Sequence, residues 1–343
     1  MMVLCTGLLV GCDKGNNEYE PEKPPVEQPE VPEEPEQPEE PDKPTIPPSI
    51  NDIIKTKTGD INMIVGTYAW NDIAYGNGRY VAVGGGNNTG GYITSSTDGI
   101  NWITPIKVSG ISNRFNSVVY GNGKFLAIGN GGVSISISYD GVNWTTAKQI
   151  VSDKIMNDII YANGRFVMVG WNGYIMTSTD GNTWKIISVG YDTSSYVLWK
   201  VIYANGRFIA VGDYGRFSTS TDGETWTQMA YIDFYDTQDC KAIASNGEKI
   251  VVMNKNGYFS TSVDGITWTK FKYSGVYINS VYNMVYNNGK FIAIGMSYVN
   301  NEYFVYTSSS VDGENWTNLE PIKDESGIIL PESKSINAVC VMP

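Results

Sequence analysis

Six copies of one heptapeptide constrain this chain more than any other feature. The pattern S-x-D-G-x-x-W appears as STDGINW, SYDGVNW, STDGNTW, STDGETW, SVDGITW and SVDGENW. Its tryptophans, Trp102, Trp144, Trp184, Trp226, Trp268 and Trp316, are separated by 42, 40, 42, 42 and 48 residues. A period of about 40 to 50 residues belongs to propeller blades or helical arrays, in which each repeat buries its apolar face only against its neighbours.

Local chemistry decides between the two. Every repeat carries an Asn-Gly pair, at Asn77, Asn122, Asn163, Asn205, Asn246 and Asn288. Asn-Gly between apolar runs signals a two-residue hairpin, because both turn positions need positive φ. In the third repeat the spacing predicts strands over residues 158–162, 165–170, 174–178 and 183–188. The second strands, such as RFVMV and KFIAI, are almost wholly apolar, as expected where both faces of a sheet are covered by neighbours. Four antiparallel strands per repeat make a blade of an all-β propeller. Six blades are complete, while residues 50–67 and 335–341 read as strands at opposite ends of the chain. Joined in one composite blade, they predict seven blades closed by N- and C-terminal segments, with six as the alternative.

The repeated motif resembles the Asp-box, or BNR repeat, of sialidases, sortilin-type receptors and several bacterial surface propellers. Here Asp and Gly are adjacent, whereas the usual box separates them by one residue. A structural role is expected for Asp98, Asp140, Asp180, Asp222, Asp264 and Asp312, each accepting hydrogen bonds from its own turn. The six tryptophans are expected to wedge against the adjoining blade. Six copies suit a fastener better than a reactive centre.

The sialidase chemistry that the resemblance implies is not expected. Such enzymes hold a substrate carboxylate with three arginines, and this chain has five in all. Arg79, Arg165 and Arg207 share the Asn-Gly-Arg position, which leaves only Arg114 and Arg216. Histidine is absent, which removes Ser-His-Asp and Cys-His catalysis and the commonest zinc ligand. No cofactor or metal is expected.

Charge is distributed unevenly. The net charge is −12, and residues 18–43 hold eleven carboxylates against Lys23 and Lys43. Residues 13–48 read as a Pro/Glu-rich, self-repelling spacer with too little apolar surface to fold. The run MMVLCTGLLVGC resembles a lipoprotein signal, residues 1–12, with Cys12 as the lipidated residue, although no Lys or Arg precedes its apolar stretch. The domain at residues 49–343 is then expected to be tethered at a bacterial cell surface, touching the membrane only through that anchor. Nucleic acid is not an expected partner, since no basic stripe is present, and a monomer is expected. Cys240 and Cys340 fall on blades that are not neighbours and are expected to remain free thiols.

In a four-stranded meander the Asn-Gly turns and the S-x-D-G turns share one face, which leaves the variable connections on the other. Those loops carry Trp171, Tyr191, Tyr196, Trp199, Tyr214, Tyr231, Phe234 and Tyr235, the candidate ligand-binding residues, beside Asp213, Asp233, Asp236 and Asp239. Aromatic surface with carboxylates suits a glycan or a protein ligand. The expected function is therefore non-catalytic ligand binding on this face. The alternatives are a carboxylate-dependent glycoside hydrolase or lyase using the four aspartates, and an envelope assembly or scaffold factor.

Overall fold

The computed structural model describes residues 69–322 apart from 87, 100, 191–195, 234–237, 276–277 and 300–301. Among the described residues lie six four-stranded antiparallel sheets, each a meander in chain order. Blade 1 comprises β1 (Ala69–Gly76), β2 (Arg79–Gly86), β3 (Gly90–Ser96) and β4 (Ile106–Lys107). Blade 2 comprises β5 (Phe115–Gly121), β6 (Lys124–Gly129), β7 (Val133–Ser138) and β8 (Lys148–Val151). Blade 3 comprises β9 (Met156–Ala162), β10 (Arg165–Gly170), β11 (Tyr174–Ser178) and β12 (Lys185–Ser188). Blade 4 comprises β13 (Leu198–Ala204), β14 (Arg207–Gly212), β15 (Arg216–Ser220) and β16 (Ala230–Tyr231). Blade 5 comprises β17 (Cys240–Ser245), β18 (Ile250–Asn254), β19 (Tyr258–Ser262) and β20 (Lys272–Tyr273). Blade 6 comprises β21 (Ser280–Asn287), β22 (Lys290–Val299), β23 (Glu302–Ser310) and β24 (Glu320–Pro321).

The chain is thus a β-propeller, and its blade count among the described residues is six. The composite seventh blade expected from residues 50–67 and 335–341 lies outside them, as do the signal segment with Cys12, the spacer and Cys340. Cys240 is buried in β17.

Successive first strands stand side by side, β1 against β5, β5 against β9, and so on to β21. Between blades the core is continuous. Val81 and Val83 of blade 1 pack with Phe115 and Phe125 of blade 2, and Trp144 of blade 2 lies over this cluster. Trp184, Trp226, Trp268 and Trp316 repeat the arrangement, each against the cluster shared with the preceding blade. The apolar second strands explain themselves here, because β6 is buried along its whole length between two sheets.

Two turns per blade keep the strands in register. Asn77, Asn122, Asn163, Asn205 and Asn288 adopt positive φ and each precedes a positive-φ glycine, as a type I′ hairpin demands. Blade 5 differs. Asn246 is not left-handed, and its Oδ1 instead accepts the backbone N–H groups of Glu248 (2.9 Å) and Lys249 (2.6 Å), which closes a wider turn. At the other turn Asp222 Oδ1 accepts the N–H groups of Glu224 and Thr225, both at 2.7 Å, and Ser220 Oγ donates to it at 2.9 Å. These donors favour the charged form. Asp140, Asp180, Asp222 and Asp312 are held well below the usual carboxylate range, and Asp264 is lowered to about 2, chiefly by the N–H of Thr267.

Replacing Phe208, fully buried between blades 3 and 4, by Ala is expected to cost about 3–5 kcal/mol. Asp222→Ala is expected to cost about 1 kcal/mol, since its bonds are made at an exposed turn. Both are read from chemical denaturation. Because the turn aspartates have depressed pKa values, their contribution is complete above about pH 4 and fades as pH falls through the folded values. Asp222→Asn should therefore show a smaller loss of Tm between pH 4 and 2 than the parent protein.

Candidate functional site

The first strand of every blade carries one residue more than the strand it pairs with. The ladder skips between Trp70 and Asp72, Phe115 and Ser117, Leu198 and Lys200, Cys240 and Ala242, and Val281 and Asn283. In β9 it passes from Met156 to Asp158 opposite Gly170 and Val169. The unpaired residues are Asn71, Asn116, Asn157, Trp199, Lys241 and Tyr282. A bulge of this kind bends the strand and re-aims the side chain at the extra position. All six line one cavity of about 280 Å³, joined by Arg114 and Lys200. A cavity reached by one position from every blade sits on the propeller axis. The bulges fall early in the first strands, so it opens on the face of the variable connections.

The six side chains divide into two kinds. Asn71, Asn116 and Asn157 each donate from Nδ2 to the carbonyl that precedes the next blade's bulge, namely Phe115 (2.6 Å), Met156 (2.8 Å) and Leu198 (2.9 Å). They are latches between blades 1 and 4. Blades 4 to 6 place Trp199, Lys241 and Tyr282 at the same position, with Lys241 Nζ 4.4 Å from the centre of a Trp199 ring.

In blades 1, 3 and 4 the residue after the bulge is charged, and Asp72, Asp158 and Lys200 make a buried charged group, the floor, at the cavity. Asp72 accepts from the Val118 N–H at 2.9 Å and from Ser117 Oγ, and Asp158 accepts from the Val201 N–H at 2.9 Å. Lys200 Nζ lies 3.3 Å from Asp158 Oδ1. Burial raises the Asp72 carboxyl from its ordinary 3.8 to about 6, opposed by Lys200 and assisted by Asp158. Burial works against the Lys200 charge, yet Asp158 and Asp72 more than offset it and raise its pKa. Lys200 therefore spends its charge on the floor. Arg114 and Lys241 have no ion pair among the described residues, and no carboxylate lines the cup. The lining is cationic and aromatic in a chain whose net charge is −12.

The loop residues expected from the sequence come together only in part. Trp199 lies in the cup, and its Nε1 donates to Asp213 Oδ1 at 2.6 Å while Val197 N–H donates to Oδ2 at 2.9 Å. Burial raises the Asp213 pKa, opposed by these two donors. With both oxygens engaged, Asp213 positions Trp199. Tyr196, Tyr214 and Tyr231 surround a different group, the guanidinium of Arg216, at 3.4, 5.5 and 4.6 Å from the ring centres. Trp171 stands apart, 42% exposed in the second-to-third turn of blade 3. Asp239 faces Lys255 at 3.7 Å, and Asp233 follows β16 beside Gly215. Tyr191, Phe234, Tyr235 and Asp236 lie outside the described residues.

Tyr214 has φ +56°. Every other non-glycine residue at positive φ among those described is asparagine, including Asn172 at the equivalent place in blade 3. A tyrosine held there costs on the order of 1 kcal/mol. The cup residues other than Trp199 were not singled out from the sequence, and neither was Arg216 as a site. Aligning the repeats on their Asn-Gly pairs exposes most of the signal: six places before the pair stand Asn, Asn, Asn, Trp and Tyr in blades 1 to 4 and 6, while Lys241 stands five places before the wider turn of blade 5.

Among the described residues no cluster of three or more His, Cys, Asp or Glu side chains is placed to hold a metal ion. No helix among them is long and apolar enough to cross a membrane.

Comparison with known proteins concerns the architecture. A family described as the DUF6242 beta propeller domain matches residues 184–342. The chain is similar to a structure of Ycf48 bound to a D1 peptide, with 18% identity over 76% of this chain and 82% of that one, at a TM-score of 0.51. Ycf48 from Cyanidioschyzon merolae is similar at 17% identity over 74% and 85% of the two chains, with a TM-score of 0.53. The WD40 β-propeller domain of Doa1 follows at 12% identity over 74% and 84%, with a TM-score of 0.52. No curated protein sequence matches the chain. At such identities the likeness to solved structures is one of fold alone.

The floor makes a pH prediction. A carboxyl raised to about 6 stabilises the fold fully below its unfolded value and loses that contribution as pH rises through about 6. Asp72→Asn keeps the shape and removes the titration. Its Tm should vary less than the parent's between pH 4 and 6.5, as calorimetry would show, whereas equal slopes would contradict the assignment.

Proposed function

We propose that this propeller is a non-catalytic binding module whose ligand is a protein segment bearing carboxylate groups, held in the axial cup on the face of variable loops. One observation carries the reading. Arg114 and Lys241 converge with Trp199 and Tyr282 on a cavity that no carboxylate lines. Arg114 and Lys241 make no ion pair among the described residues, though Lys241 acts on the Asp213 carboxylate, and in a partly enclosed site they attract an anion more strongly than they would at an open surface, while the three asparagine latches keep the wall rigid. Trp199 and Tyr282 offer apolar contact between the charges, the composition of an anchor pocket.

A glycan as ligand has less support. Sugar recognition needs exposed ring faces, and here Tyr196 and Trp199 turn theirs toward Arg216 and Lys241. The similar Ycf48 structure with its bound peptide is consistent with a peptide in a propeller of this shape. Display at a bacterial surface through a lipid on Cys12 and the Pro/Glu-rich spacer is part of the same proposal. Such a tether would carry the cup away from the membrane.

The test uses the full chain with Cys12→Ser, titrated calorimetrically with a glutamate decapeptide, a lysine decapeptide and an oligogalacturonate. The glutamate peptide should bind in a salt-dependent way, and Arg114→Met/Lys241→Met should weaken it at least tenfold, about 1.4 kcal/mol. Unchanged affinity in the double variant, or binding of the saccharide alone, would refute the reading.

A further inference from the structure

Blade 4 holds a second arrangement that the axial cup does not use. In blades 1, 3 and 5 the third strand has a tyrosine near its head, Tyr92, Tyr174 and Tyr258, paired across to Lys107, Ser188 and Tyr273. Blade 4 places Arg216 there, paired across to Tyr231. The side chain is 6% exposed, and its Nη2 donates to the Tyr231 hydroxyl at 2.6 Å. Nε and Nη1 are buried and have no hydrogen-bond partner. No described carboxylate pairs with it. A buried guanidinium without an anion is costly, and contact with tyrosine rings recovers only part of that cost.

The walls of this box are themselves unusual. The Arg216 guanidinium carbon stands over the Tyr196 ring, 3.4 Å from its centre, and Tyr214 meets Tyr196 edge-on at 87°, with ring centres 6.2 Å apart. Tyr214 is the outer wall, 44% exposed and farthest from the cation. It occupies a left-handed backbone position that blade 3 gives to Asn172 and blade 2 to Gly131. A buried charge with no ion pair among the described residues and unfavourable backbone at one place are the signs of a site built for a ligand rather than for stability.

We propose that Arg216 with Tyr196, Tyr214 and Tyr231 forms a carboxylate-recognition site, whose ligand group is an acidic side chain of a protein partner. The carboxylate accepts a hydrogen bond from the unpartnered Nη1 once Tyr214 swings outward. A planar oxyanion matches the planar guanidinium donors. The site shares no residue with the axial cup and stands whether or not the cup binds. Asp213 and Tyr214 are adjacent in one turn, so the first supports Trp199 in the cup while the second covers Arg216.

The chain has five arginines, so its Nε–Hε region in an ¹⁵N NMR spectrum holds five signals at most. The Arg216 signal, displaced by its tyrosine rings, is identified by its loss in Arg216→Lys and, should that variant not fold, by its shift in Tyr231→Phe. Sodium glutarate serves as the probe, with sodium chloride at matched ionic strength and galacturonate as comparators. The Arg216 signal should move saturably with glutarate at concentrations at least tenfold below those at which chloride acts, and should do so equally in Lys241→Met. A signal that ignores glutarate, follows chloride equally, or responds to galacturonate alone overturns the proposal. Loss of peptide binding in the cup variants with the Arg216 response intact would separate the two sites.

Discussion

One extra residue in the first strand of each blade governs what this propeller presents to its surroundings. A regular ladder would alternate side chains between the two faces of the sheet and leave none aimed along the axis. The bulge breaks that alternation at the same place six times. It turns Asn71, Asn116, Asn157, Trp199, Lys241 and Tyr282 toward a common centre. Everything else in the fold serves to hold those six positions still. Five tryptophans of the S-x-D-G-x-x-W turns, from Trp144 to Trp316, fill the wedges between blades, while Trp102 packs within blade 1 among the described residues, and the aspartates of the same motif fix the turns that aim them.

The ring is symmetric in architecture and asymmetric in chemistry. Its first half spends the bulge position on latches: an asparagine amide reaches the next blade's backbone carbonyl, a bond that adds stiffness and no recognition. Its second half needs no such latch at Trp199, Lys241 and Tyr282 and places individual side chains there instead. The ion pair of Lys200 with Asp158, with Asp72 close by, sets a buried charged group beside the cavity that Lys200 lines. Blade 4 departs furthest from the consensus, with Trp199 at its bulge, Tyr214 at a left-handed turn and Arg216 at the head of its third strand. Both proposed sites converge on that blade.

The fold was legible in the sequence because its signals are local. Asn163-Gly164 requires one kind of turn, RFVMV tolerates only burial on both sides, and the recurrence of both fixes a four-stranded unit. The S-x-D-G aspartates could be read in the same way, since their bonds run to residues two and three places onward. The site was only partly legible. Trp199 and Asp213 stand out as an aromatic and a carboxylate in variable loops. Asn71, Asn116, Asn157, Lys241 and Tyr282 lie some 40 residues apart and acquire meaning only when six blades bring one column together. The aromatic loop residues misled in one respect, since Tyr196 and Tyr231 pack around Arg216 rather than forming an open stacking surface. Nothing in a linear reading reveals that a lone arginine has three tyrosines about it.

Convergence of the bulge positions on one axis is the claim from which the rest follows. It is measured most directly by pulsed electron paramagnetic resonance between spin labels at Asn116→Cys and Lys241→Cys, in a chain whose four native cysteines are replaced. A second pair on the same two blades, Lys148→Cys and Lys272→Cys, reports the outer strands. The account predicts a short, narrow distance distribution for the first pair and a much longer one for the second. Similar distances for the two pairs would contradict it.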